Sequence, residues 1–166
     1  MRVYLPSTLS RLRGVIDQGV VEVVVGYAVT PALREWYTEG DVEELEYAAT
    51  AAAARASLGL VAATGDRPRR VVLAAEVPDS EVRPVGGVGS DDRAAVALSA
   101  AVPLRLVESA LVDDPSAADD VRAAIEVLAA AEAGDDDAMF TVDGVEDHEL
   151  GWYAAQELAV LVEVES

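Results

Sequence analysis

Val71-Val72-Leu73-Ala74-Ala75-Glu76-Val77 is apolar at every position but Glu76. Strand side chains alternate between the two faces of a sheet, so a run apolar on both faces marks an interior strand buried on both sides.

Upstream, Asp66 to Arg70 reads as a turn. Asp41 with Glu44 three residues on has capping-box spacing, and Val42, Leu45, Ala49, Ala52, Ala56 and Leu60 recur every three or four residues. That predicts a helix of about 22 residues whose narrow, Ala-rich stripe lets it approach a neighbour closely. Thr30-Pro31 opens a shorter helix over Ala32 to Tyr37, a capping hydroxyl followed by proline at the first helical position. Val20 to Val29 reads as a strand, with Val21, Val23, Val25, Tyr27 and Val29 on one face and Glu22 and Gly26 on the other. Arg2 to Leu5 is a short strand broken by Pro6-Ser7. Ser7 then caps a helix that carries Leu9, Leu12 and Ile16 on one face and ends at Gly19.

Downstream, Asp79 to Asp92 is a loop of glycine, proline and charge. Ala94 to Val102 and Val107 to Val112 read as strands. Ser116 caps a helix bearing Ala118, Val121, Ile125 and Leu128, and Gly134 stops it. Met139 to Val142 reads as extended, and a last helix runs from Asp147 to Leu161, burying Leu150, Tyr153, Ala154, Leu158 and Leu161. This mixed order of strands and helices argues for an α+β fold over a single domain, residues 1–166: one sheet of about four or five strands with helices packed on it. A ferredoxin-like arrangement is one way to assemble them.

The chain has 166 residues, 52% of them hydrophobic, which is enough for a core. All 12 basic residues are arginine against 31 acids, a net charge of −19 that repels nucleic-acid phosphate. The charge is lopsided: residues 1–105 carry 11 Arg against 14 acids, residues 106–166 only Arg122 against 17. An exposed acidic layer is the plain account; a basic partner is the functional one. The absence of cysteine excludes thiol chemistry and Cys-based zinc sites, and the single His148 excludes a histidine cluster within the chain. The longest charge-free stretches, residues 23–33 and 94–104, are too short for a bilayer span, and Met1 to Arg13 has no apolar signal core. The expectation is a soluble cytoplasmic domain with no membrane or nucleic-acid partner.

Three stretches carry a resemblance: Met1-Arg2-Val3-Tyr4-Leu5-Pro6-Ser7-Thr8-Leu9; Tyr27-Ala28-Val29-Thr30-Pro31-Ala32-Leu33-Arg34-Glu35-Trp36-Tyr37; and Glu146-Asp147-His148-Glu149-Leu150 with Trp152-Tyr153. Together they resemble an actinobacterial family of uncharacterised proteins, a domain of unknown function spanning essentially the whole chain. The resemblance implies a bacterial cytoplasmic origin and no activity, cofactor or catalytic residue.

The chemistry-bearing candidates are few. His148-Glu149 opens a zinc-protease helix motif, but Trp152 stands where the second imidazole is needed. Asp147, His148 and Glu149 remain acid–base candidates beside the plainer reading of a polar helix start. Asp135 and Asp137, with Asp143 and Asp147 nearby, offer hard oxygen ligands without calcium-loop spacing. Gly86-Gly87-Val88-Gly89-Ser90 resembles a phosphate loop, yet no lysine follows and a strand comes next. Arg67, Arg69 and Arg70 are the one basic cluster and a candidate anion site, against the alternative that they pair with nearby acids. Arg34, Trp36, Tyr37 and Trp152 are ligand-binding candidates, because large aromatics beside charges suit pockets and interfaces as well as cores. Their scarcity predicts that Trp36 or Tyr37 packs near Trp152 or Tyr153. No cofactor is called for. The favoured function is a binding or regulatory module for a small molecule or protein; the alternatives are a carboxylate-based, Mg²⁺-dependent hydrolase and a structural subunit, with a homodimer among the assemblies considered.

Overall fold

The Val71 run forms strand β4 (Val71–Glu76), paired on one side with β1 (Arg2–Ser7) and on the other with β8 (Val107–Asp113). Val71, Leu73 and Ala75 turn to one core and Val72 and Ala74 to the other, all buried, as an interior strand requires. The computed structural model describes residues 1–37, 39–85 and 93–165. Its main sheet is completed by β3 (Val25–Tyr27), β5 (Val82–Pro84), β6 (Ala95–Leu98) and β9 (Leu150–Ala154). The order is β5-β6-β3-β1-β4-β8-β9, with every pairing antiparallel. The fold is therefore α+β, with seven strands rather than four or five. The seven strands exceed the four of a ferredoxin-like β-α-β-β-α-β unit, and that arrangement is not confirmed.

Helices α1 (Leu9–Gln18) and α6 (Leu158–Val164) cover one face, placing Leu12, Val15, Leu158 and Leu161 against Val3, Leu5, Leu73 and Val112. The other face is covered by α3 (Val42–Thr64), helped by Leu33 of α2 (Pro31–Trp36). Ala49 and Ala53 are fully buried there, their small side chains seating α3 close to Tyr4, Val72 and Ala74. Val42 is exposed instead, and the buried stripe runs on through Ser57, Leu58 and Val61. Leu58 joins a third cluster with α4 (Ala118–Glu132) and α5 (Asp136–Gly144), through Val121, Ala124, Leu128 and Val142. Among the described residues no helix is long and apolar enough to cross a membrane.

Several local expectations change. β1 does not break at Pro6. Met1 and Val77 exchange both backbone bonds, at 2.8 and 2.9 Å, so odd-numbered residues of β1 bond to β4 and even-numbered ones face β3. The register of β3 with β1 stops at Tyr4↔Tyr27, so the missing N–H of Pro6 points where no strand needs it. Thr8, not Ser7, caps α1: its Oγ1 accepts from the Arg11 amide. The valine run splits. Val20–Val21 (β2) pairs with Val102–Pro103 (β7) in a separate ladder, and Gly26 faces the core while Val25 is exposed. Ala94 to Val102 is correspondingly two strands, not one. Asp114, not Ser116, caps the turn that leads into α4. Met139 to Val142 is helical within α5, because Asp135 supplies an N-cap bond to the Ala138 amide. The expected helix from Asp147 to Leu161 is a 3₁₀ turn (Val145–Asp147), then β9, a second turn and α6. Of the loop expected over Asp79 to Asp92, residues 82–84 form β5, and Gly86-Gly87-Val88-Gly89-Ser90 lies outside the described residues.

Candidate functional site

Helix α3 lies over β3, β1 and β4, so the β8–β9 end of that sheet face stays partly open. Leu111 of β8 and Leu150 of β9 form its floor, together with Ala51 and Ala54 from the flank of α3. The groove holds about 290 Å³, and Tyr47, Glu146, His148 and Glu149 stand around it. Through Tyr47, Ala51 and Glu146 it continues into a shallower hollow of about 740 Å³ beside Tyr37, Asp41, Glu43 and Glu44. Trp152 is the cross-strand partner of Leu111 and lies on the same face, extending the apolar floor toward the sheet edge. Trp152 is 63% exposed.

A buried ion pair positions this region. Arg70 Nε donates to Asp113 Oδ2 and Nη2 to Oδ1, each at 2.8 Å, with the Arg70 side chain 5% exposed and Asp113 fully buried. The Arg70 amide also donates to Oδ2, and Nη2 reaches the His148 carbonyl at 3.0 Å. The residue just ahead of β4 therefore fixes the chain entering β9. His148 has extended backbone angles, φ −85° and ψ 119°, rather than those of a helix start. Its Nε2 lies 2.6 Å from Asp120 Oδ2 in the first turn of α4. Asp147, in the 3₁₀ turn, and Glu149 are both exposed; Glu149 lines the groove and Asp147 does not.

The arginine cluster divides into separate roles. Arg70 is committed to Asp113. Arg69 is buried, donating to the Asp113 carbonyl through Nε and pairing with Glu165. Only Arg67 is exposed, at a hollow of about 270 Å³ shared with Ser10, Arg13 and Asp66. Burial would raise the pKa of Asp66, but hydrogen bonds from Thr8, the Arg67 amide and Ser10 outweigh it and hold the carboxyl below its usual value.

The aromatics do not pack together. Trp36 is 57% exposed with the Arg93 guanidinium 3.7 Å from its ring centroid, just ahead of β6. Trp152 is on β9, the far edge of the sheet, with four strands lying between β6 and β9. Trp36 and Trp152 therefore lie apart, against the expectation that Trp36 or Tyr37 packs near Trp152 or Tyr153. Arg34 is exposed on α2, while Tyr37 lines the acidic hollow. Asp135 is taken up as the cap of α5 and Asp137 lies in its first turn. Among the described residues no group of three or more His, Asp or Glu is placed to hold a metal ion.

Tyr47, Ala51 and Ala54 are the groove residues that the sequence pattern concealed. They recur at helical spacing along one flank of α3, from the exposed Tyr47 to Ala54 at the border of the buried stripe. No curated protein and no solved structure matches the chain. The model of a family of unknown function, DUF6912, matches residues 1–162, and the chain belongs to that family.

Proposed function

We propose that the protein is a binding module whose site is the groove between α3 and β9, and that its ligand joins an apolar body to positive charge. The carrying observation is the groove itself: an apolar floor of Ala51, Ala54, Leu111 and Leu150 beside Tyr47, bordered by Glu146 and Glu149 and continuous with a hollow bearing Asp41, Glu43 and Glu44. Apolar area supplies affinity, tyrosine faces attract cations, and carboxylates select the sign of charge. The net charge of −19 works in the same direction and opposes nucleic acid.

The test is an amide NMR titration with spermidine, phenethylamine and a short Lys/Val peptide at low and high salt. Shifts that cluster on Tyr47, Glu146 and Leu150, weaken with salt and vanish in Tyr47→Ala support the reading. Shifts scattered over the surface, or none, reject it.

A further inference from the structure

The β8–β9 ladder determines which backbone groups of β9 face outward. Because Met1 and Val77 exchange both bonds, odd-numbered residues of β4 bond to β1 and even-numbered ones to β8. The bond from the Asp113 amide to the Arg70 carbonyl, 3.1 Å, fits this alternation. In β8 it leaves Ala110 and Val112 to bond β9, opposite Tyr153 and Gly151. Leu150, Trp152 and Ala154 therefore turn their N–H and C=O groups to the open edge. The Ala154 amide is satisfied there by Glu157 Oε2 at 2.7 Å, which closes that end of the edge. Among the described residues no partner is found for the outward groups of Leu150 and Trp152.

Natural sheets protect such an edge with Lys, Arg or Pro. The opposite edge strand, β5, carries Arg83 and Pro84. β9 (Leu-Gly-Trp-Tyr-Ala) carries none, and its flanks supply the acids Asp147, Glu149 and Glu157 beside His148, whose ring is engaged by Asp120. Trp152, exposed beside the groove floor, gives an added strand an apolar neighbour on the α3 face.

We infer that β9 receives an extended peptide with alternating basic and apolar residues, which adds as an eighth strand and lays its side chains on one face toward the groove. The inference rests on the groove reading and names its partner. Charge decides the occupant. A second copy would bring the same carboxylates and a net charge of −19 against their equals, whereas a basic segment neutralises them.

The probe is a Lys-Val-Lys-Val-Lys-Val peptide, compared with the same peptide N-methylated at alternate residues in each of the two frames. Expected are slower hydrogen exchange at the Trp152 and Leu150 amides on binding, and about tenfold weaker binding for the frame whose edge-facing amides are methylated. Trp152→Pro, which deletes an outward N–H while sparing the β8 ladder, should weaken binding in the same way. Binding that is lost in Tyr47→Ala but indifferent to both methylated frames overturns strand addition and leaves the groove reading standing. Binding indifferent to Tyr47→Ala and to methylation overturns both. Dimerisation of the free protein through β9, seen as a concentration-dependent mass with protected Trp152, overturns the choice of occupant.

Discussion

Arg70 and Asp113 form a bidentate pair inside the protein, and the same guanidinium holds the His148 carbonyl at 3.0 Å. One buried interaction thus ties β4 to β8 and to the entry of β9. Removing one partner leaves an uncompensated buried charge. Asp113→Asn should destabilise the fold by about 3–5 kcal/mol, and the double change Arg70→Met with Asp113→Leu should recover part of that loss. Urea unfolding of the three proteins checks both statements.

Ser57 plays a smaller part of the same kind. Its buried hydroxyl donates to the Ser7 carbonyl at 2.7 Å and accepts from the Val71 amide at 2.9 Å, bridging β1 and β4 where their ladder ends. Ser57→Ala leaves both backbone groups unsatisfied and should cost roughly 1–3 kcal/mol. Faster hydrogen exchange at the Val71 amide would place the damage there.

Gly26 is required by crowding rather than by its backbone angles. A Cβ at this position would meet Val3 Cγ1 at 2.6 Å and Leu5 Cδ2 at 3.1 Å. Gly26→Ala should destabilise by about 1–3 kcal/mol through overpacking, with thermal unfolding as the measure.

Asp66 titrates below its ordinary 3.8 in the folded protein. The folded state therefore binds its proton more weakly than the unfolded chain. Its contribution to stability is present above the unfolded pKa and is lost as pH falls through the folded one. In Asp66→Asn the melting temperature should fall less steeply than in the wild type as pH drops below about 4. Melting curves taken across the acid range decide it.

Tyr47 and Trp152 are 70% and 63% exposed, which separates binding from folding. Tyr47→Ala and Trp152→Ala should each leave unfolding within about 0.5 kcal/mol of the wild type. Tyr47→Ala should still abolish the clustered shifts from cationic probes. A sharp loss of stability in either variant would instead make the ring a packing element.

What neighbouring residues enforce on one another is legible in the chain alone. An apolar run at Val71 to Val77 can only be interior. Thr30 before Pro31 and Asp41 three residues before Glu44 mark their helix starts, with Thr30 and Asp41 oxygens accepting from the Leu33 and Glu44 amides. Gly19 and Gly134 end helices with φ 79° and 96°, a conformation glycine adopts without strain. The candidate site was legible in fragments: His148, Glu149 and Tyr37 line the groove or its extension, and Trp152 flanks it. What depends on distant partners emerges only once the chain is folded. Leu150 to Ala154 suits a helical face as well as an alternating strand, and the unpaired groups of β8 settle the choice. Arg69 and Arg70 read as an anion site or as partners of acids, and only the fold brings Asp113 and Glu165 to them from far along the chain. The groove exists because α3 stops covering the sheet before β9. Hydrogen bonding and capping act over a few residues and are written locally, whereas strand order and helix placement follow from how distant apolar faces bury one another.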